Sequence, residues 1–475
     1  MAPPPVLLMD LYELTMLAGY FEQGMHERHA TFDLFFRDLP FQGGYAILAG
    51  LDPSLEFLEA FRFREDDLDY LESLLLFKGA FLAYLSAFRF KGTVTAAPEG
   101  TVVFPHEPLL TVEGTLAESQ LVETALLNII NFQTLVATKA SRVVRAAAPA
   151  KVIEFGARRA QGPDGALSAT RAAAVGGVLT TSHLSAGKVF GLPVAGTQAH
   201  SWVMSFPTEI EAFRAYAAVF PDTCVLLVDT YDTLKSGIPN AITIARELES
   251  KGHTLAGVRL DSGDLAYQSR EARRLLDEAG LSAVKILVSN ELDEHVIQSI
   301  RMDGGRVDLY GVGTRLVTAD GPDGGALGGV YKLVQIDEEP RIKLSGDPLK
   351  STIPGRKRVW RVTRPPDGAF EMDVIALEDE TLGPGDEVFD PSHPLRHAPI
   401  PDETGLMDLR AVVMEDGRRR CSPSALPAIA KRAAKELRCL PEGCLRFMNP
   451  HRYRVALSPK LHQLRLKLIE EARAG

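Results

Sequence analysis

The sequence predicts an α/β protein centred on a parallel α/β barrel, and three observations predict it. After Pro149, six short apolar segments, KVIEF, LPVAGT, CVLLVD, AGVRLD, KILVSN and DLYGVGT, alternate with helical stretches, the order expected of strands that pair in parallel through crossover helices. Each of the six ends in polar, charged or glycine residues, and in a parallel barrel the C-terminal strand ends carry the functional loops. Upstream, residues 88–116 alternate short β-rich runs with Pro and Gly, which predicts an antiparallel hairpin series outside the barrel.

The remaining elements follow in order. Residues 11–22 have helical periodicity, and LDPSLEFLEAF and DDLDYLESLLL predict two further amphipathic helices packed on a sheet. Residues 119–147 read as one long helix, and the change of pattern after it places a domain boundary near Pro149. Beyond Gly321 the alternation becomes irregular: PGRKRVWRVTRPPDG predicts a hairpin, residues 427–437 a helix, RLKLIEEARAG an amphipathic helix, and RCLPEGCLRF a loop or lid. No chemistry is assigned from about Pro399 onward. The expected division is residues 1–148, residues 149–335 with the active site, and residues 336–475, which return to the first domain and add a C-terminal helical region.

Composition narrows the function. At 475 residues the chain exceeds one ordinary core, and with 45% hydrophobic and 24% charged residues it reads as globular. A formal net charge of -10 argues against a general nucleic-acid binder, which neutralises phosphates with clustered Lys and Arg. The N-terminal apolar stretch ends at Asp10 without a basic region before it, so no signal peptide is expected. Uninterrupted apolar runs such as residues 215–220 are far shorter than the roughly 20 residues of a bilayer span; a cytoplasmic location is expected. Cys224 stands alone, and Cys421, Cys439 and Cys444 lack a paired C-x-x-C spacing, so free thiols are expected rather than structural zinc.

Four strand ends carry candidate chemistry. GVRLDSGDL puts Arg259, Asp261 and Asp264 around a small turn, where carboxylates suit ribose hydroxyls or Mg²⁺ and the guanidinium suits an anion; a surface ion-pair cluster is the equal alternative. DLYGVGTRL ends with Gly311, Gly313 and Thr314, which let backbone N–H groups approach a phosphate, although glycine after a strand more commonly makes a turn. GTQAHSW carries His200, an imidazole available as a nucleophile near pH 7, with Asp229 at the end of CVLLVD as the carboxylate to orient it. EFGARRAQGPDG presents Arg158 and Arg159 beside Phe155, a pairing suited to a planar carboxylate; taken alone, these are two solvated arginines at a helix start.

Together MDLYELTM, FFRDLPFQGGYAILAGL, EFGARRAQGPDG, LPVAGTQAHSW, VDTYD, GVRLDSGDL and YGVGT resemble nicotinate phosphoribosyltransferases in identity and order, from Asp10 to about Arg361. The resemblance implies an irregular parallel α/β barrel of the type II phosphoribosyltransferase kind joined to an α/β sandwich domain. It also implies a homodimer whose N-terminal DLY and FFR segments reach into the partner's site. The implied reaction joins nicotinate to 5-phosphoribosyl 1-pyrophosphate, releasing nicotinate mononucleotide and pyrophosphate in NAD biosynthesis. It is a glycosyl transfer classed with ligases because ATP hydrolysis is coupled to it, and Mg²⁺ accompanies the phosphates.

Carried over residue by residue, the resemblance makes His200 the site of transient phosphorylation, with Asp229 holding its ring. Tyr12 would stack on the pyridine ring, Arg158 and Thr197 would lie near nicotinate, and Arg259 would bridge base and phosphoribosyl sites. Arg37 would bind pyrophosphate, as would Lys350 and Lys357 with weaker support. Asp261 and Asp264 would contact ribose or magnesium, and Gly313 with Thr314 the 5-phosphate. Nicotinamide is the nearest rival substrate, but its amide donor favours an acid in the base pocket. The matching segment GGVLTTSHLSAG offers the neutral Thr181 and Ser182, and departs from the family at His183. A quinolinate-specific enzyme is disfavoured by length and by GTQAHSW, and a catalytically silent phosphate-binding protein requires the charged strand ends to be coincidental.

Overall fold

The computed structural model describes residues 5–345, 351–391, 393 and 395–474. It divides into two compact units, Met1–Thr138 with Pro322–Gly475, and Lys139–Gly321.

The first unit holds two large sheets. One is antiparallel throughout, running Glu339–Pro340, Val330–Ile336, His29–Phe35, Leu110–Thr115, Thr93–Ala96, Ala411–Glu415 and Arg418–Arg419. The hairpin reading of residues 88–116 is present in it as the pairing of Thr93–Ala96 with Leu110–Thr115. Its apolar face is covered by residues of helices Leu11–Glu22, Leu51–Ala60 and Gly79–Ala87, including Leu14, Leu17, Leu55, Phe57, Phe81 and Leu85. The other sheet contains the expected hairpin, Lys357–Arg364 against Ala369–Leu377, with a core of its own around Val362, Val374 and Ala456. The predicted C-terminal helices run from Leu426–Cys439 and Pro459–Ala474.

Within this unit Lys357 does not have the role expected of it. Strand alternation turns position 357 to the buried face, where its ammonium lies 2.8 Å from the Asp33 carboxylate and donates to the carbonyls of Ile353, at 2.9 Å, and Gly355. Only 5% of the residue is exposed, so its donors serve the core rather than pyrophosphate. Lys350 lies outside the described residues.

The long helix begins later than its periodicity suggests: Leu116–Gln120 is a separate short helix and Glu123–Ala147 the long one. Leu116–Ala147 is apolar and long enough by composition to cross a membrane, yet 67% of its most apolar window is buried, the pattern of a core helix.

The second unit is a parallel sheet with crossover helices. Its strands are β1 (Lys151–Glu154), β2 (Val225–Leu227), β3 (Gly257–Leu260), β4 (Lys285–Val288) and β5 (Leu309–Val312), in the order β1-β5-β4-β3-β2. They coincide with five of the six predicted segments, and the interior ones are buried on both faces, as parallel strands are. The predicted barrel is not closed among the described residues. Beyond β1 the sheet continues only through isolated parallel bridges, Glu154 with Thr181 and Thr181 with Val194. LPVAGT therefore supplies one bridge instead of a strand: Pro193 has no N–H to give a ladder, and only Ala195 N–H and the Pro193 carbonyl pair with Thr181.

Candidate active site

The strand ends of the second unit bring several predicted residues into one bonded network, and its hub is Arg259. Its Nε donates to the Ser289 hydroxyl at 2.8 Å, Nη1 to the Thr197 hydroxyl at 3.1 Å, and Nη2 to Asp261 Oδ1 at 2.7 Å. The guanidinium carbon lies 5.5 Å from the centre of the Phe155 ring, within cation–π range. Phe155 thus packs with Arg259, not with the neighbouring Arg158 as expected from sequence. Arg158 and Arg159 lie exposed on a single 3₁₀ turn, Ala157–Arg159.

Asp261 is the second centre. Burial pushes its carboxyl up, but the Ser289 hydroxyl, Arg259 and His200 together hold it below the usual carboxylate range, so it is an anion at neutral pH. The imidazole of His200 faces it, Nε2 lying 3.8 Å from Asp261 Oδ2, while Nδ1 meets the Thr230 hydroxyl at 3.1 Å.

Asp229 does not hold that ring. Its Oδ2 accepts the Asp261 N–H at 2.7 Å and the Ser262 hydroxyl at 2.7 Å, so its carboxylate builds the turn after β3. The physical reason is local geometry: β2 and β3 are adjacent and parallel, and the end of β2 meets the first free N–H groups beyond β3. Asp264 has a structural bond too, capping helix Leu265–Glu278 by accepting the Tyr267 N–H at 2.9 Å.

Glycines shape the opposite wall. A Cβ at Gly311 would fall 2.5 Å from the Phe155 ring, and one at Gly313 would fall 3.1 Å from the Phe155 carbonyl oxygen. The missing side chains therefore admit Phe155. Gly313 and Thr314 open the short helix Thr314–Val317, and the next residue, Arg315, is anchored at 2.5 Å to Asp293, the cap of helix Glu294–Met302.

The segment with Thr181 and Ser182 holds a feature its sequence does not show. The fully buried carboxylate of Glu154, from the end of β1, accepts the Thr181 hydroxyl at 2.5 Å, the Thr170 hydroxyl at 3.1 Å and the Gly156 N–H. An acid does stand beside this segment, and its two oxygens already meet protein donors. His183 is part of the same arrangement, its Nδ1 lying 3.3 Å from the Thr170 hydroxyl.

Tyr12 and Arg37 belong to the first unit. Tyr12 is exposed at the start of helix Leu11–Glu22, and burial of its hydroxyl end, with Glu123 and Glu13 nearby, pushes its pKa up to about 12. Arg37 lies 5.9 Å from the Phe35 ring centre. Ser289 and Thr230 were not anticipated. The one signal for them was that they follow strand segments, as the recognised residues do.

Among the described residues no group of three or more His, Cys, Asp or Glu side chains is placed to hold a metal ion, and all four cysteines are free thiols.

The architecture and much of the sequence are shared with known proteins. Three family models match in succession: the nicotinate phosphoribosyltransferase N-terminal domain over residues 7–131, the family model over residues 150–352, and the C-terminal domain over residues 356–465. The chain is 42% identical to the nicotinate phosphoribosyltransferase of Bacillus subtilis over 472 residues, covering 98% of this chain and 95% of that one. The crystal structure of human nicotinic acid phosphoribosyltransferase superposes with a TM-score of 0.88 at 34% identity, over 97% of this chain and all of that one. A nicotinate-nucleotide pyrophosphorylase structure from Pyrococcus furiosus shares the fold, with a TM-score of 0.69 at 23% identity over 91% of this chain and 94% of that one. With matches of this identity and extent, the chain belongs to the nicotinate phosphoribosyltransferase family.

Proposed function

We propose that the protein transfers the phosphoribosyl group of 5-phosphoribosyl 1-pyrophosphate to nicotinate, forming nicotinate mononucleotide and pyrophosphate in NAD biosynthesis, with ATP hydrolysis coupled through phosphorylation of His200. The observation that carries this reading is the network in which Arg259 joins Thr197, Asp261 and Ser289 while His200 faces Asp261. One cation is thereby placed between a segment assigned to the base and a carboxylate assigned to the ribose.

In the reaction the bond from the anomeric carbon to pyrophosphate oxygen breaks and the bond to the pyridine nitrogen forms, through a ribosyl centre with cationic character. The pyridine nitrogen carries its own lone pair, so no side chain needs to act as a strong base. Arg259 orients an anionic group by charge and hydrogen bonding. Asp261, kept ionised, suits the ribose hydroxyls or the developing positive charge.

Magnesium fits as a companion of the substrate. Mg²⁺ commonly takes one or two carboxylates and completes its shell with phosphate oxygens and water, and Asp261 with Asp264 are the carboxylates for that arrangement; bound there, it would neutralise charge on the departing pyrophosphate. Gly313 and Thr314 are assigned to the 5-phosphate, Arg158 and Thr197 to nicotinate, and Tyr12 and Arg37 to the base and pyrophosphate of a partner's site in a homodimer. An irregular barrel, a sandwich arrangement of the first unit and a cytoplasmic location complete the reading.

The test is product formation with Mg²⁺ and 5-phosphoribosyl 1-pyrophosphate, comparing nicotinate, nicotinamide and quinolinate, each with and without ATP. Selective formation of nicotinate mononucleotide, stimulated by ATP, is expected, together with loss of ATP-derived protein labelling in His200→Ala. Preference for another base overturns the pocket assignment, and labelling that survives His200→Ala overturns the phosphohistidine.

A further inference from the structure

Ser289 follows β4 directly and is 3% exposed. Its backbone is pinned to the end of β3, its N–H donating to the Leu260 carbonyl at 2.9 Å. The next residue, Asn290, has φ +102°, outside the region that non-glycine residues favour, so the chain turns sharply just after the serine. A serine hydroxyl has one proton to donate and lone pairs to accept with. Here the hydroxyl accepts Arg259 Nε–H at 2.8 Å and donates to Asp261 Oδ1, the oxygen that also receives Arg259 Nη2–H at 2.7 Å.

This arrangement is not the one an arginine and an aspartate adopt by themselves. Left alone, the pair favours a two-pronged bond in which Nε and one Nη each meet a carboxylate oxygen. Ser289 takes the Nε donor and so restricts the pair to a single direct bond. Two consequences follow. Asp261 Oδ2 stays on the His200 side, 3.8 Å from Nε2. Of the five guanidinium N–H groups, one each goes to Ser289, Thr197 and Asp261, so two are left for a ligand.

We infer that Ser289 is a positioning residue for phosphoribosyl transfer: by taking the Nε donor of Arg259 and bonding Asp261 with its own proton, it limits their pairing to one direct bond and keeps both directed at the phosphoribosyl donor. This rests on the assignment of Arg259 and Asp261 to that donor. Replacement by alanine removes the wedge, leaves the Nε–H without its partner, and lets the guanidinium close on both carboxylate oxygens. The ligand-facing donors then rotate away, although neither charged residue has changed.

The experiment compares steady-state kinetics of the full-length wild type, Ser289→Ala, Ser289→Cys, Arg259→Lys and the double variant Arg259→Lys with Ser289→Ala, alongside thermal midpoints. Ser289→Ala is expected to lower kcat/KM for 5-phosphoribosyl 1-pyrophosphate roughly 10- to 100-fold, as misplacement on the ångström scale does, with KM for nicotinate and the thermal midpoint close to wild type. Ser289→Cys preserves volume but gives only a weak donor and acceptor, so it also loses activity and serves if the alanine variant folds poorly. In the Arg259→Lys background, which lacks the fork, Ser289→Ala should cost less than threefold, because interacting residues are non-additive. Full activity in folded Ser289→Ala or Ser289→Cys overturns the inference, as does an undiminished loss in the lysine background, which marks a packing role. Unchanged kinetics in Arg259→Lys would instead remove Arg259 from the site.

Discussion

Asp229 and Asp261 are joined side chain to backbone: the Asp229 carboxylate receives the Asp261 N–H at 2.7 Å and, on the same oxygen, the Ser262 hydroxyl at 2.7 Å. A carboxylate that holds a turn and one that charges an imidazole respond differently to mutation. Asp229→Asn keeps a carbonyl oxygen able to accept both bonds, so it should retain stability and most of the transfer activity. Asp229→Ala should lose about 1–3 kcal/mol of stability and at least tenfold in activity. Equal losses in both variants, measured by denaturation and initial rates, would restore the charge of Asp229 to a direct catalytic role.

Thr230 is the side chain that meets His200 Nδ1, at 3.1 Å. A hydroxyl can accept from Nδ1–H or donate to Nδ1, so Thr230 fixes the orientation of the ring while leaving its tautomer open. Thr230→Val is expected to reduce ATP stimulation several-fold while transfer without ATP stays near wild type. Labelling with ATP carrying a labelled γ-phosphate checks this, and an unchanged labelling rate would exclude Thr230 from orienting the ring.

Lys357 and Asp33 form a buried pair in the first unit, 2.8 Å apart with side-chain exposures of 1% and 3%. Lys357→Met strands the carboxylate and should destabilise the protein by about 3–5 kcal/mol, with KM for 5-phosphoribosyl 1-pyrophosphate unchanged in what remains folded. A raised KM at normal stability would return Lys357 to the substrate.

Glu13 gives a pH dependence with a defined sign. Burial pushes its carboxyl up to about 7, against the lowering effect of bonds from Thr124 and Asp10. An acid whose pKa is raised by folding favours the folded state below its unfolded pKa near 4.3, and that contribution is lost as pH rises through about 7. The Glu13→Gln variant does not titrate, so its unfolding free energy relative to wild type should improve between pH 5 and pH 8, by about 2–3 kcal/mol. A constant difference across that interval would show that Glu13 titrates normally.

What could be read in advance was set by periodicity and by chain-local chemistry. Runs such as CVLLVD and KILVSN announce buried parallel strands, and Arg259 with Asp261 sit two residues apart, so their meeting at 2.7 Å needed only the strand-end turn between them. Contacts between strand ends were less legible. Ser289 bonds Arg259 across 30 positions and Thr230 bonds His200 across 30, and a lone hydroxyl leaves no spacing pattern to mark it. The expected Asp229–His200 contact failed for a related reason: both residues do follow strand segments, but the neighbouring Asp261 N–H offers Asp229 a closer donor. The bridge at Val194 shows the limit of apolar runs, since Pro193 denies the segment a ladder.

The second unit interrupts the first along the chain, and this imposes an order on synthesis. Strand His29–Phe35 pairs on one side with Leu110–Thr115 and on the other with Val330–Ile336. The second partner is translated roughly two hundred residues after the first, on the order of ten to forty seconds at ribosomal rates of about 5–20 residues per second. Throughout that interval the nascent strand presents an open edge, the feature most prone to pairing with another chain. Lys139–Gly321, whose sheet is contained within its own stretch of sequence, has all its strands before the earlier unit has its last one. The opening half of the protein is therefore the part most in need of a chaperone, and ribosome-stalled chains ending shortly before Val330 are where such dependence would be strongest.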